Sequence, residues 1–208
     1  ADIVFRTPGM HPDIPALKQL REAGAVVTSE MEAFFAVCPC RIIAVTGSDG
    51  KTTTTTLISE ILKHAGYTVW LGGNIGTPLL PRAEEMNPGD IAVVELSSFQ
   101  LMGMTQSADI AVVTNLAPNH LDVHKDMAEY IAAKENVLGR PQNGVWLENG
   151  IIYRNGREIM PAADIKIPGV HNIENYMAAA CATEGLVSDA DVDALARSFG
   201  GVEHRIEL

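Results

Sequence analysis

The stretch that decides the fold is Arg41-Ile42-Ile43-Ala44-Val45-Thr46-Gly47-Ser48-Asp49-Gly50-Lys51-Thr52-Thr53. Its first half is an apolar, β-branched run that is typical of a buried strand, and its second half is a turn with two glycines, a lysine and threonines. A helix-compatible segment, Thr54 to Ala65, follows. A strand, a glycine-containing turn and a helix in this order are typical of a phosphate-binding loop.

Each residue type in this turn suits a phosphate ligand. Glycines allow successive backbone N–H groups to curl around phosphate oxygens, and the following helix directs its positive N-terminal end at the anion. Lys51 supplies a mobile positive charge, and the Thr52 hydroxyl can bind magnesium. The turn is shorter than the general phosphate-loop pattern, because only Ser48 and Asp49 separate its glycines. A plain strand-turn-helix is therefore the structural alternative.

Composition limits the classes of partner. The chain has 208 residues, of which 47% are apolar, as expected for a globular protein with one large or two small domains. A formal net charge of −11 disfavours nucleic acid and an anionic membrane surface as partners. The chain has three cysteines and no apolar run long enough for a membrane span. We expect a cytoplasmic monomer with no nucleic-acid partner and no membrane partner.

The order of segments predicts an α/β fold with a mostly parallel sheet flanked by helices. Residues 1–27 read as strand, helix and strand, which is the end of a first α/β unit. Ser29 and Glu32 form a predicted capping box, so a new helix and a new domain begin there. Turns at Asn149-Gly150 and Asn155-Gly156 predict a small antiparallel meander.

Several polar residues follow predicted strands or lie on a nearby helix. Glu95 ends a buried-type strand, where the crevice of an open α/β sheet forms, and it is well placed to hold a metal; a solvated carboxylate is the alternative. His120 follows the next strand and suits a phosphate or a metal, although a lone histidine is more often structural. Lys134 reads locally as a solvated lysine on a helix. The glycine-rich segment 72–76 fits a ligand loop or a tight turn equally well.

Together these segments resemble the muramyl ligases of bacterial cell-wall synthesis. The resemblance rests on the following motifs, in this order: Thr46-Gly47-Ser48-Asp49-Gly50-Lys51-Thr52-Thr53, Gly72-Gly73-Asn74-Ile75-Gly76, Glu95-Leu96-Ser97-Ser98-Phe99-Gln100-Leu101, Asn119-His120-Leu121-Asp122, Ala132-Ala133-Lys134, His171-Asn172-Ile173-Glu174-Asn175 and His204-Arg205. Within this family, the run 97–101 is most similar to the member that adds D-glutamate to UDP-N-acetylmuramoyl-L-alanine. The short phosphate loop is this family's own form.

The resemblance implies an ATP-dependent amide ligase of peptidoglycan synthesis. The γ-phosphate of ATP would pass to the carboxylate of UDP-N-acetylmuramoyl-L-alanine, and the amine of D-glutamate would attack the resulting acyl phosphate. Catalysis would rest on positioning and electrostatics, with two magnesium sites. The resemblance also implies that residues 1–29 end a uridine-nucleotide-binding domain, 30–200 form the central ATP-binding ligase domain and 201–208 begin a C-terminal domain.

The resemblance further implies roles for individual residues. The catalytic set is Lys51, Glu95, His120 and Lys134. The metal ligands are Thr52, Glu95, His120 and Lys134, with Lys134 carbamylated. The ATP contacts are Gly47, Ser48, Asp49, Gly50, Lys51, Thr52, Thr53, Asn172, Asn175 and Arg205. The contacts to the muramoyl substrate are Thr7, Asn74, Ser97, Gln100 and His120.

The chain departs from the family pattern in two respects. It is shorter between Lys134 and Val145, and it is expected to be a fragment without a complete D-glutamate site and with little ligase activity alone. The alternatives within the class are another muramyl ligase and the related folylpolyglutamate synthase. The alternatives outside it are a nucleotide-binding switch or adaptor and a catalytically silent domain kept for assembly.

Overall fold

The first three elements of the chain form a separate small α/β unit. The computed structural model describes residues 2–115 and 145–202. Strand β1 (Ile3–Phe5), helix α1 (Pro15–Glu22) and strand β2 (Val26–Thr28) come first, and the two strands pair in parallel. This confirms the predicted strand, helix and strand. Ile3, Phe5 and Val26 expose more than half of their surface, so this small sheet presents an apolar face.

The central sheet contains four parallel strands in the order β4-β5-β3-β6. They are β3 (Arg41–Thr46), β4 (Val69–Gly73), β5 (Ile91–Glu95) and β6 (Ile110–Val113). The chain leaves β3 towards β4 on one side of the sheet and leaves β5 towards β6 on the other. A crevice therefore forms beyond the carboxyl ends of β3 and β5, which is where ligands bind in open α/β sheets.

Helices cover both faces of this sheet. Alternate residues of β3 enter two different apolar clusters, Ile43 and Val45 on one face and Ile42 and Ala44 on the other. Such burial on both faces explains why the strand is continuously apolar. The helices between β2 and β6 are α2 (Glu30–Val37), α3 (Lys51–His64), a 3-10 helix (Leu80–Glu85) and α4 (Ser98–Leu101).

Helix α2 begins where the sequence predicts a domain boundary. The Ser29 hydroxyl accepts a hydrogen bond from the Glu32 N–H at 3.3 Å, which is the Ser29 half of the predicted capping box. Helix α3 begins three residues before the predicted Thr54, because Gly50 adopts a left-handed conformation and caps the helix directly before Lys51. The first turn of the helix is therefore part of the phosphate-binding loop.

A three-stranded antiparallel sheet follows in the second described part of the chain. It consists of β7 (Val145–Glu148), β8 (Ile151–Arg154) and β9 (Arg157–Pro161), which confirms the predicted meander. Both turns are Asn-Gly pairs in which each residue has a positive φ of 49° to 81°. These values match the two-residue hairpin turns that Asn-Gly favours.

The last helices pack the meander against the central sheet. They are a 3-10 helix (Ala162–Asp164), α5 (Val170–Ala182) and α6 (Asp189–Ala196). Ile152 and Met160 of the meander, Tyr176 and Ala179 of α5 and the apolar face of α3 belong to one cluster. No helix in the described ranges is long and apolar enough to cross a membrane.

A buried arginine joins the meander to both C-terminal helices. The Arg154 guanidinium donates hydrogen bonds to the Ala180 carbonyl at 3.0 Å and to the Asp189 carboxylate at 2.7 Å. Its side chain is 1% exposed, whereas that of Asp189 is 28% exposed. The pair thus connects β8 to the C-terminal part of α5 and to the first residue of α6.

Replacement of Asp189 by alanine should lower the free energy of unfolding by about 3 kcal/mol, because it leaves a buried guanidinium without its counter-ion. Urea unfolding followed by circular dichroism measures this change. Asp164→Ala is the matched control, since it breaks the 2.7 Å pair with the exposed Arg197 and should have a much smaller effect. Adding Arg154→Met to Asp189→Ala should recover part of the loss. Equal losses for Asp189→Ala and Asp164→Ala would contradict this explanation.

Candidate functional site

The phosphate-binding loop lies at the carboxyl end of β3, at the crevice described above. The first intrahelical bond of α3 runs from the Thr54 N–H to the Gly50 carbonyl at 2.9 Å. The N–H groups of Lys51, Thr52 and Thr53 therefore precede the ladder and have no partner within the helix. Together with the helix dipole they form an anion-binding position, as the sequence predicts.

Neighbouring side chains lie so close to Gly47 and Gly50 that neither position has room for a Cβ. A Cβ at Gly47 would lie 1.9 Å from Thr114 Oγ1, and Gly47 has a φ of +144°. A Cβ at Gly50 would lie 2.3 Å from Asn175 Oδ1, and its φ is +76°. The loop is therefore enclosed by the end of β6 on one side and by α5 on the other, and only glycine fits at these two positions.

Replacement of Gly47 by alanine should weaken ATP binding by at least about tenfold, because the loop must shift to admit the methyl group and loses its φ. Titration with a fluorescent ATP analogue measures the dissociation constant. Gly89→Ala is the matched control, since no atom lies within 4 Å of the added Cβ. Unchanged affinity in Gly47→Ala would show that the loop geometry does not matter for the nucleotide.

Lys51 is folded back over its own loop. Its Nζ donates hydrogen bonds to the Gly47 carbonyl at 3.0 Å and to the Ser48 carbonyl at 2.9 Å. The ammonium group thus lies against the loop that precedes the N-terminus of α3. Its role in phosphate binding stays a prediction.

The residues after β6 hold the first half of the loop. Asn115 Oδ1 accepts hydrogen bonds from the Ser48 N–H at 3.0 Å and from the Asp49 N–H at 2.9 Å. Thr114 Oγ1 lies 2.5 Å from the Asp49 carbonyl. Neither residue is among the site residues predicted from the sequence, although polar side chains at the end of a strand are a signal that could have indicated them.

Glu95 is the acid of the crevice. It ends β5 opposite Val45 of β3 in the parallel register, and it is 1% exposed. Its Oε1 accepts a hydrogen bond from Asn74 Nδ2 at 3.0 Å, while its Oε2 is buried and has no hydrogen-bond partner among residues 2–115 and 145–202. An unpartnered buried carboxylate oxygen is costly unless a cation or another ligand completes it. The side chain therefore fits a magnesium ligand and not the solvated alternative.

Of the four predicted metal ligands, the structure describes two, Thr52 and Glu95. Thr52 lies in the first turn of α3, which follows β3. Strand β3 is the neighbour of β5, the strand that ends at Glu95. His120, Lys134 and Arg205 lie outside the described residues, so their predicted roles are not observed. Among the described residues no group of three or more His, Cys, Asp or Glu side chains forms a metal site. The second magnesium site therefore stays a prediction.

The predicted substrate contacts lie around α4 and β4. Ser97 and Gln100 form a capping box: Ser97 Oγ accepts from the Gln100 N–H at 3.3 Å, and Gln100 Oε1 accepts from the Ser97 N–H at 2.9 Å. Gln100 is 7% exposed. The Ser-x-x-Gln spacing is the sequence signal for this box. These two side chains therefore shape the turn between β5 and α4.

Arg6 connects the predicted Thr7 loop to α4 and to the residue that follows it. Its guanidinium donates to the carbonyls of Met10, Phe99 and Met102, the first two at 3.3 and 3.4 Å. The residue is 5% exposed, and burial lowers the pKa of its guanidinium. The exposed Thr7 next to it is thereby held beside α4.

The two asparagines predicted at the nucleotide lie in the first half of α5. Asn175 Oδ1 accepts a hydrogen bond from the Thr54 hydroxyl at 3.3 Å, and Asn175 Nδ2 donates to Asn172 Oδ1 at 3.3 Å. Both are buried; Asn175 links α5 to α3, and Asn172 holds the Asn175 amide from within α5. A cleft of about 160 Å³ adjoins them, and it is lined by Asp49, Gly50, Thr114, Asn115, His171, Glu174, Asn175 and Ala178.

Comparison with known proteins decides the family. The family profile described as the Mur ligase middle domain matches residues 45–150, which is just over half of the chain and contains the loop and Glu95. The chain belongs to the Mur ligase family. This confirms the resemblance on which the site predictions rest.

Curated relatives match the whole chain. Two of them are named UDP-N-acetylmuramoylalanine--D-glutamate ligase: that of Acetivibrio thermocellus is 49% identical and that of Ruminiclostridium cellulolyticum 46% identical, each over 246 residues. These matches cover 100% of the chain and 53% of each relative. The chain thus spans about half the length of these relatives. The alignments are longer than the 208 residues of the chain, so they include positions at which the chain has no residue.

Solved structures share the fold at lower identity. A UDP-N-acetylmuramate:L-alanyl-gamma-D-glutamyl-meso-diaminopimelate ligase from Neisseria meningitides matches with a TM-score of 0.64 and 15% identity, covering 98% of the chain and 80% of that structure. The UDP-N-acetylmuramate-alanine ligase from Thermotoga maritima matches with a TM-score of 0.59 and 21% identity, covering 97% of the chain and 55% of that structure. Both confirm the predicted α/β fold.

Proposed function

We propose that the protein is an ATP-dependent ligase that joins D-glutamate to UDP-N-acetylmuramoyl-L-alanine in peptidoglycan synthesis. The observation that carries this proposal is the placement of the phosphate-binding loop and Glu95 on the two strands that flank one crevice. Such a crevice can hold a nucleotide phosphate beside a cation. The choice of amino acid rests on the relatives that bear this name.

The proposed reaction has two steps. The substrate carboxylate attacks the γ-phosphorus of ATP, so a P–O bond forms to the carboxylate and the bond to ADP breaks. The amine of D-glutamate then attacks the carbonyl carbon, an amide forms, and inorganic phosphate leaves with a proton lost from the amine. Lys51 and the N-terminus of α3 would stabilise the negative charge that shifts onto the phosphoryl oxygens.

Magnesium would be held by Glu95 and Thr52 in this proposal. The buried Oε2 of Glu95, unpartnered among the described residues, supports it, because a carboxylate oxygen is the kind of ligand that magnesium prefers. The ion would neutralise phosphate charge when bound. Asn74 keeps the Glu95 carboxylate in place through the 3.0 Å bond to Oε1, and its own exposed position leaves it open to the substrate.

The muramoyl substrate would lie on the α4 side of the crevice. Ser97, Gln100, Asn74 and the loop of Thr7 lie on that side, and Arg6 links the Thr7 loop to α4 through the Phe99 carbonyl. ATP would lie on the α5 side, with its base towards the cleft beside Asn175. With this arrangement the γ-phosphate of ATP would face the muramoyl substrate.

The proposal extends to residues outside the described ranges. His120 would serve a second magnesium, a carbamylated Lys134 would bind magnesium as an anion, and Arg205 would contact the nucleotide. Residues 30–200 would form the ATP-binding ligase domain between a uridine-nucleotide-binding domain and a C-terminal domain. We place the reaction in the cytoplasm, where ATP is available.

The test is phosphate release from ATP by the complete gene product that contains this chain. The assay supplies Mg²⁺ and UDP-N-acetylmuramoyl-L-alanine with D-glutamate, L-glutamate, L-lysine or diaminopimelate. Release that requires both the muramoyl substrate and D-glutamate is expected. Support by another amino acid would assign the chain to a different muramyl ligase, and ATP binding without release under any condition would favour an adaptor.

A further inference from the structure

We propose that Asn115, supported by Thr114, is the positioning residue that holds the phosphate-binding loop in its anion-binding conformation. This inference rests on the proposed ATP site. It adds to that site two residues that neither the loop motif nor the predicted ATP contacts include. The loop and the end of β6 are more than 60 residues apart in the chain, so only the fold brings them together.

Asn115 makes a bidentate contact with the loop backbone. Its Oδ1 accepts from two successive N–H groups, those of Ser48 and Asp49, and its carbonyl also accepts from the Ser48 N–H at 3.1 Å. Two adjacent N–H groups that share one acceptor must point in nearly the same direction. The contact therefore fixes the orientation of the peptide planes before Gly50.

Thr114 holds the next peptide unit of the loop, through the Asp49 carbonyl. The Thr114 hydroxyl lies 2.5 Å from the Asp49 carbonyl and 3.3 Å from the Thr46 carbonyl. Because the hydroxyl has only one proton to donate, we assign the hydrogen bond to the nearer Asp49 carbonyl. The Thr114 N–H donates to the Thr46 carbonyl at 2.9 Å, which continues the β3–β6 pairing. The loop is thus attached to the sheet through both an N–H and a carbonyl group of Asp49.

The two N–H groups bound by Asn115 precede the anion-binding position. The N–H groups of residues 51–53 at the start of α3 remain for the phosphate, because they lie ahead of the helix ladder. The Asn115 amide therefore does not need to leave when ATP binds. If the Asn115 amide occupied the phosphate position instead, it would compete with ATP. Removal of the amide should weaken ATP binding in the first case and strengthen it in the second.

Replacement of Asn115 by alanine should raise the dissociation constant for ATP about tenfold, because two backbone hydrogen bonds that order the loop are lost. The measurement is a titration of the complete gene product with a fluorescent ATP analogue. Asp109→Ala is the matched control: Asp109 Oδ2 accepts from the Ile42 N–H at 2.7 Å and joins the same two strands at their other end. We expect this control to lower the melting temperature without changing the affinity for ATP.

Amide exchange of residues 47–50 gives a readout that does not depend on ATP. Exchange should be faster in Asn115→Ala than in the unmodified protein, and Asn115→Asp should restore slow exchange because it retains an oxygen acceptor at this position. Tighter ATP binding by Asn115→Ala, or unchanged affinity and exchange, would overturn the proposal. Failure of the unmodified protein to bind ATP would contradict the proposed function, whereas the exchange measurement would still decide the role of Asn115.

Discussion

Replacement of Lys51 by alanine is expected to lower kcat for D-glutamate ligation by at least about a hundredfold. The ammonium group lies within 3.0 Å of two carbonyls of the phosphate-binding loop. It is therefore placed to follow the negative charge as it shifts on the γ-phosphoryl group, an interaction that a neutral methyl group cannot replace. Phosphate release by the complete gene product measures the effect.

Lys63→Ala provides the control for this prediction. Lys63 lies in the last turn of the same helix and pairs with Glu60 at 2.8 Å on the surface, so its removal should leave turnover unchanged. Thermal unfolding of both variants separates a catalytic loss from a folding defect. Near-normal turnover in Lys51→Ala would show that the lysine contributes only to the structure of the loop.

Replacement of Glu95 by glutamine should raise the Mg²⁺ concentration required for half-maximal turnover by about a hundredfold. The estimate follows from the ten- to hundredfold effects that residues around a metal usually have, because Glu95 would contact the ion directly. Glutamine keeps the size of the side chain and an oxygen for Asn74, but it removes the charge. Turnover as a function of Mg²⁺ concentration is the direct measurement.

Asp90→Asn is the matched control at the other end of the same strand. Asp90 accepts hydrogen bonds from Trp70 Nε1 and the Asn87 N–H, both at 2.9 Å, and the Trp70 bond holds the pKa of its carboxyl below the usual value. Asp90→Asn removes a negative charge directly before β5, at the end of the strand that lies away from the crevice. The metal assignment fails if Glu95→Gln and Asp90→Asn show the same Mg²⁺ requirement.

The candidate site could be predicted where one local segment contains the chemistry. The loop from Gly47 to Thr52 is such a segment, since strand, glycines, lysine and helix all lie within it. Glu95 could be placed at a strand end, but the sequence left a solvated carboxylate open. Its burial, with Oε2 unpartnered among the described residues, is what favours the metal-binding interpretation.

Other parts of the site depend on contacts between distant segments. Ser97 and Gln100 match substrate-binding positions of the family, yet in the structure they also cap α4. Asn172 and Asn175 match nucleotide-binding positions, yet both are buried, and Asn175 already bonds to Thr54 of α3. A motif identifies a position, but it does not show how much of a side chain is already used by the fold.

The sequence by itself determined the α/β class, the phosphate-binding loop and the antiparallel meander, because each follows from residue patterns within a few neighbouring positions: apolar strands, glycine turns and helix starts. The tertiary structure decided which strands flank the crevice, that Glu95 lies opposite Val45, and that Asn115 holds the loop. These facts depend on strand order and on hydrogen bonds between residues far apart in the chain, which no local pattern specifies.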